Sequence, residues 1–196
     1  MSKLFVDEIV HQSSQGSGTI TIGASGETIS IPSGATLTVP NGGLTGQNYP
    51  AFQATNLTNY TGKTASVSTL SEFATTTYDT DSAFDTSAGN YKFTVPSGKS
   101  GKYYFYSKVV IAGDSAAMYR VRSSFYLNGS VVTTNLGLSY FVLSTFELDQ
   151  NNLLNFITLD LSDGDYVQIY SFGSPTSGTW GHYSGSIFGG YKIIGA

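Results

Sequence analysis

Apolar and polar residues alternate in short runs along most of this chain. From about residue 52 onward, the segments FQATNLTN, KTASVSTL, YKFTVPS, KYYFYSKVVIA, YRVRSSFYLNG, SVVTTNLG, NFITLDL, DYVQIYSF and GHYSGSIFGGYKII carry apolar side chains at alternate positions, the period of a half-buried strand. Gly, Pro, Asn or Asp stands between these runs, and no window of a dozen residues carries a convincing helical period. Asn128-Gly129 predicts a tight hairpin and Asp163-Gly164-Asp165 a strand-to-strand turn. Short strands punctuated by turns roughly every ten residues predict an all-β sandwich or barrel, and a jelly roll fits the length.

The pattern is different before residue 49. TITIGASGE, TISIPSGA and TLTVPNGG begin at Thr19, Thr28 and Thr36, each a Thr-x-Thr/Ser-aliphatic strand followed by a Gly-containing turn. Strands this small bury no core alone. They need copies, and with so few units the copies are expected from other chains, as an intertwined β-shaft. Residues 1–12 hold a smaller patterned segment with Leu4, Val6 and Ile9 on one side, and SSQGSG over 13–18 reads as a flexible link. The expected organisation is therefore an N-terminal attachment segment over 1–18, a repeat shaft and linker over 19–48, and a β-domain over 49–196.

Composition narrows the class. Among 196 residues, 40% are hydrophobic, with 14 Tyr and 12 Phe, so a packed core is available. Charged residues are 11% against the roughly 25% typical of soluble domains, and Ser, Thr, Asn and Gly take their place. This suits repetitive β-structure in an assembled particle. A net charge of −4 and a pI of 4.9 argue against general affinity for nucleic acid or anionic lipid. There is no Cys, which excludes disulfides and thiolate metal sites and mildly favours a microbial or viral source. MSKLFVDEIVHQ lacks the basic and apolar regions of a signal peptide. No apolar run approaches the roughly 20 residues of a membrane span, so no membrane insertion is expected. The sequons at Asn56, Asn59 and Asn128 are expected to be chance products of a Thr-rich chain.

The order of the strand motifs is specific. Phe84, Gly89, Tyr91, Phe93, Val95, Pro96, Gly101, Tyr103, Tyr104 and Phe105 stand in the run FDTSAGNYKFTVPSGKSGKYYF. Phe125-Tyr126-Leu127-Asn128-Gly129, then LDLSDGDYVQIY, then Tyr183-Ser184-Gly185-Ser186-Ile187-Phe188-Gly189-Gly190-Tyr191 follow in turn. Over roughly three quarters of the chain this resembles the globular head of complement component 1q and its tumour-necrosis-factor-like relatives. The resemblance implies a jelly-roll sandwich without enzymatic activity, working as a homotrimer. The collagen-like Gly-X-Y repeats that precede many animal heads are absent, and the Ser/Thr/Ile repeat stands in their place. That layout resembles the short fibre or decoration proteins of tailed bacteriophages.

Tyr103 to Tyr106 are consecutive aromatics, so two face the core and two face out. An outward pair needs cover, and in the resembled family the outward stripe is the three-fold interface. Tyr104, Tyr106, Tyr166, Tyr170, Tyr183 and Phe188 are the interface candidates. Trp180 and His182, in the loop-like stretch GSPTSGTWGH, are the receptor-loop candidates, because an aromatic face stacks on sugar rings.

Catalytic chemistry is poorly supplied. His11 and His182 are the two histidines. A hydrolase would rest on His182 with Ser184, two residues on and so on the same strand face, but no nucleophile-elbow motif and no phosphate-binding glycine loop is present. Asp160, Asp163 and Asp165 are candidate calcium ligands. Calcium takes six or more oxygens, and this spacing matches no dedicated loop, so a turn capped by Asx bonds is the expected reading. Asp79, Asp81 and Asp85 read as a solvated loop. No cofactor is expected. The sequence thus predicts a virion structural protein: a homotrimeric fibre or decoration protein of a tailed phage, bound to other virion proteins through its N-terminus and presenting a knob to a host glycan or receptor. The alternative is a soluble microbial lectin-like or signalling trimeric module.

Overall fold

A computed structural model describes residue 33, residues 50–133, the backbone of 138–142, and residues 150–193. The attachment residues Leu4, Val6 and Ile9, and the repeat over 19–48 apart from Ser33, lie outside the described residues. The rest belongs to one compact unit, Gly46–Ala196. Its strands are β1 (Ala51–Thr55), β2 (Tyr60–Lys63), β3 (Ser68–Leu70), β4 (Thr75–Asp79), β5 (Phe84–Asp85), β6 (Lys92–Thr94), β7 (Gly101–Gly113), β8 (Met118–Leu127), β9 (Ser130–Val131), β10 (Leu138–Val142), β11 (Gln150–Leu161), β12 (Tyr166–Pro175), β13 (Trp180–His182) and β14 (Ile187–Lys192). Among the described residues there is no helix.

The strands form two antiparallel sheets packed face to face. In the first, β7 is central. Its whole length pairs with β11 on one side, and its other side pairs with β14 and then β13; β14 leads on to β1 and β4, and β13 to β2. In the second, β12 pairs with β8 on one side and with β3 and β6 on the other, while β10 and β9 extend β8 and β5 extends β6. The long partners are distant in sequence, which is why hairpin signals alone do not give the strand order.

The alternation places the core. Tyr103, Phe105, Val109 and Ile111 of β7 face inward, as do Leu153, Ile157, Leu159 and Leu161 of β11 and Val121 and Phe125 of β8. Phe52 of β1 lies at the centre, stacked on Phe84 and Phe93 with ring centroids 5.0 and 4.8 Å away and edge-on to Phe188 at 5.0 Å. Each such pair adds about 0.5–1.5 kcal/mol beyond its burial. Most of the motif that carries the family resemblance is therefore core: Phe84, Tyr91, Phe93, Val95, Tyr103 and Phe105 are all buried. Two glycines of β14 are needed for space. A Cβ at Gly190 would lie 2.4 Å from the Phe105 ring on the inner side, and one at Gly189 would lie 2.4 Å from Tyr106 on the outer side.

The two predicted turns are present and are tied together. Asn128 and Gly129 both have positive φ, 49° and 79°, as a two-residue hairpin of mirror-image type requires. The Asn128 side chain accepts from the Tyr166 N–H and donates to Asp165 Oδ1, both over short distances of 2.9 and 2.8 Å.

Candidate functional site

The outward face of the first sheet is built from the positions that alternate with the core. Across one row the backbone register sets Phe156, Tyr106, Gly189, Gln53 and Tyr78 side by side; the next row sets Thr158, Tyr104, Tyr191 and Ala51. The result is a stripe of aromatic rings that no part of the described chain covers fully. Phe156 is 68% exposed, Leu154 67%, Tyr78 44% and Tyr191 37%. Tyr104 lies 5.6 Å from Tyr191 and 6.5 Å from Tyr106, centroid to centroid.

Hydrogen bonds hold this face rigid. The Tyr106 hydroxyl donates to Gln53 Oε1 at 2.9 Å, and Gln53 Nε2 donates in turn to Thr77 Oγ1 at 3.4 Å. Burial, together with the neighbouring Tyr78, pushes the Tyr106 phenol well above the ordinary tyrosine range. Phe156 rises from β11, which among the described residues pairs with no strand on its other edge. The Tyr106 ring lies over Gly189, where there is no room for a Cβ. The stripe is thus a ridge of aromatic and aliphatic side chains, with Phe156 and Leu154 standing furthest out.

The interface candidates divide. Tyr104 and Tyr106 lie on this stripe. Tyr166 and Tyr170 lie on β12, on the outward face of the other sheet, so they form no common patch with Tyr104. Phe188 faces inward and is fully buried against Phe52, Phe105 and Phe125; it is a core residue, because β14 alternates the opposite way from the expectation. Tyr183 lies beyond β13, half-buried, with its hydroxyl 3.4 Å from Asp114 Oδ1.

Trp180 and His182 are not loop residues. Both lie in β13 between β2 and β7 and are buried to 0% and 1% exposure, so neither offers a face to a ligand. Trp180 Nε1 donates to the Thr64 carbonyl at 2.8 Å. His182 lies in a network that the sequence does not reveal. Its Nδ1 pairs with Glu72 Oε2, Glu72 Oε1 pairs with Lys63 Nζ, and its Nε2 is 3.4 Å from Ser71 Oγ, which in turn is 2.6 Å from Ser171 Oγ. Burial pushes the His182 imidazole below its usual range, against the pull of Glu72. Burial alone would raise Glu72, but His182 and Lys63 outweigh it and hold its carboxyl below the usual range. Near neutral pH this is a neutral imidazole donating to a carboxylate whose counter-charge is Lys63.

A serine, a histidine and a glutamate in series have the order of a hydrolytic triad. Here Ser71 is 1% exposed and its hydroxyl is engaged by Ser171, so no substrate carbonyl reaches it. The network ties the two sheets together. Ser184 stands apart from His182, exposed, because the chain leaves β13 at residue 182 and turns through Gly185.

The aspartates are turn clamps. Asp163 accepts from the N–H groups of Gly98, Lys99 and Ser100 and from the Ser100 hydroxyl, at 2.6–3.2 Å. Those bonds hold its carboxyl below the usual range, the Ser100 hydroxyl most of all. Asp165 accepts from Asn128 and from the Ser162 N–H. Asp160 lies exposed on β11. The oxygens of Asp163 and Asp165 are directed at protein donors, and among the described residues no cluster of three metal-ligating side chains forms. Asp163 and Asp165 thus clamp turns, and Asp79 plays the same part through the N–H groups of Ala83 and Phe84.

No family model matches the chain, and no curated protein does. Solved structures do. A crystal structure of murine APRIL at pH 8.0 aligns with TM-score 0.51 at 13% identity, over 73% of this chain and 98% of that one. The globular domain of zebrafish complement 1qA aligns with TM-score 0.46 at 20% identity, over 74% and 98%. The fold is a jelly-roll β-sandwich, similar to that of murine APRIL. At these identities the likeness is one of architecture.

Proposed function

We propose that the chain is a non-enzymatic structural and binding protein that works as a homotrimer, and that its place is the surface of a tailed bacteriophage particle as a short fibre or decoration protein. The observation that carries the trimer is the outward stripe of the first sheet. Phe156 alone leaves two thirds of its surface in water beside Tyr104, Tyr106, Tyr191 and Tyr78, and an apolar patch of this kind is characteristic of an interface. Phe156 on β11 and the tyrosines of β7, β14 and β4 are different parts of one surface, so contact is head-to-tail: the Phe156 ridge of one copy meets the tyrosines of the next. Such contacts close into a ring when the rotation permits, and a three-membered ring leaves no ridge uncovered.

The virion part of the reading rests on the sequence layout: a patterned segment over 1–18, a Thr/Ser/Ile repeat over 19–48 that needs partner chains, and the knob. Residues 1–18 attach to other virion proteins, and the knob presents its free surface to a host glycan or receptor. Three copies raise the avidity of any weak site on that surface.

Light scattering on a sizing column tests the trimer. The chain weighs 20.8 kDa, so the full-length protein is expected at about 62 kDa, three times that mass. A monomer at micromolar concentration overturns the proposal. Peptides of this chain in purified particles, at a copy number divisible by three, test the virion location.

A further inference from the structure

Between β1 and β3 the chain crosses the edge of the sandwich in a stretch that buries nothing apolar. From Leu57 to Leu70 no side chain is buried, and Leu57 and Val67 are 69% and 48% exposed. The two ends of the stretch are fixed. Asn56 is fully buried, its Nδ2 donating to the Tyr183 carbonyl and its Oδ1 accepting from the Ser186 N–H, both at 2.9 Å. Ser71 is buried with its hydroxyl against that of Ser171, and Phe73 enters the core. Between the ends the contacts are polar. The Gly62 N–H donates to Asp114 Oδ2 and the Ser66 N–H to the Gly173 carbonyl, each at 2.8 Å, and the Thr64 carbonyl accepts from Trp180 Nε1. Ser66 has a φ of 61°, left-handed backbone that is strained in a residue other than glycine. Trp180, against which this stretch lies, is fully buried, its ring 5.2 Å from that of His182.

We propose that residues 57–70 are a strap that opens from Trp180 while the rest of the sandwich stays folded, and that a proton on His182 releases it. Segments that open locally have few buried apolar contacts and exposed hydrogen bonds, and this one has both. The trigger is a count of charges. Lys63 of the strap and His182 of β13 share one carboxylate, Glu72, through its Oε1 and Oε2. With His182 neutral, Lys63 and Glu72 cancel. A proton on His182 leaves one cation in excess at a ring that is 1% exposed, and an uncompensated buried charge is costly. Opening the strap hydrates the imidazole and carries Lys63 away from it. The other neighbours do not relieve the excess. β2 sets Tyr60 opposite His182, β7 sets Ile111 opposite it, and β12 reaches it through Ser171 by way of Ser71. Tyr91, on the approach to β6, acts on Glu72 and Tyr60, and a phenol carries no negative charge in acid. Asp114 spends its Oδ2 on the Gly62 N–H and the Thr179 hydroxyl. Burial holds His182 below its ordinary 6.5 against the pull of Glu72. The open form therefore accepts a proton that the closed form refuses, and acid favours opening. Neither the trimer nor the virion location enters this inference.

The test is hydrogen exchange of the full chain at pH 7.5 and 5.5, read at single residues by mass spectrometry with electron-transfer fragmentation. Each rate is divided by that of the same amide in the unfolded chain. The hydrogen-bonded amides of Gly62 and Ser66 are expected to exchange ahead of those of Val109 and Ile111 in β7. Their rates are expected to be unmoved by urea below the unfolding transition, since a local opening exposes little surface. From pH 7.5 to 5.5 their opening is expected to rise by up to about tenfold, the proton uptake of an imidazole that titrates near 6.5 once open. His182→Gln abolishes the rise. Lys63→Met changes the count instead: a proton on His182 then makes a neutral pair with Glu72, so acid no longer loosens the strap, an outcome that loss of packing alone would not give. Gly62 and Ser66 as protected as β7, protection equal at the two pH values, or the full rise retained in Lys63→Met overturns the inference.

Discussion

Phe156 stands directly opposite Tyr106 in the β11–β7 ladder, and both rings point away from the core. In the trimer proposed above, that pair is where one copy's Phe156 ridge gives way to the tyrosines that meet the next copy. Phe156→Asp is expected to reduce the mass in solution from about 62 kDa to 20.8 kDa, because a carboxylate there would be desolvated in the interface. The isolated fold tolerates it, since surface substitutions away from special features usually change stability by within about 0.5 kcal/mol. Light scattering with circular dichroism on the same sample reads both. An unchanged mass would move the interface elsewhere.

Gly189 lies beneath Tyr106 with no room for a methyl group, the would-be Cβ lying 2.4 Å from Cζ and Oη. Gly189→Ala must therefore displace the ring and break its bond to Gln53, costing about 1–3 kcal/mol as overpacking does. Adding Tyr106→Ala empties the space, so the double variant is expected to be more stable than the two single effects summed. Thermal melts of the four proteins check this coupling; simple additivity would mean that the ring moves aside freely.

Where one face of a strand is buried and the other is wet, the pattern in the sequence reads directly. β11 and the first half of β7 are examples, and they carry part of the family resemblance because their inward residues are the core. β4 is not legible: Thr75–Asp79 is almost wholly exposed, so it has no apolar face to alternate with. The stripe was half legible. Tyr104 and Tyr106 follow from four consecutive aromatics, but Leu154 and Phe156 announce themselves only as apolar residues on the wrong parity of NNLLNFITLDL, beside inward Leu153 and Ile157. Trp180 and His182 were misread because Gly and Ser flank them, the usual mark of a loop. A three-residue strand paired on both sides buries them all the same. The pairing of His182 with Glu72 spans 110 residues and leaves no local trace.

Trp180 is the chain's single tryptophan, fully buried, so its fluorescence reports on the β2–β13–β7 junction alone. Its emission is expected to be blue-shifted, protected from acrylamide and unmoved by added saccharides. Trp180→Ala is expected to cost about 3–5 kcal/mol, the range for emptying a large aromatic site. Trp180→Phe costs less but leaves the Thr64 carbonyl without its donor. Quenching as efficient as that of free tryptophan would restore the loop placement.

The His182–Glu72–Lys63 network makes stability depend on pH in a stated direction. His182 is held below its ordinary value of 6.5 by burial. As pH falls below that value the unfolded chain takes up a proton that the folded chain refuses, so the folded state loses stability until its own lower pKa is reached. Glu72, despite the upward pull of burial, is held below 4.5 by His182 and Lys63, so the unfolded chain again binds the proton first and a second loss sets in as pH falls through 4.5. The two effects have the same sign. The melting temperature is therefore expected to be flat just above pH 7, to fall as pH drops below about 6.5, and to fall further below 4.5 as Glu72, Asp163 and Asp165, also held low, are titrated in the unfolded chain. His182→Gln removes the first fall and leaves the second, at a lower starting stability. A melting temperature that rises on acidification from pH 7 to 5.5 would show that His182 gains its proton on folding, and that Glu72 rather than burial sets its charge.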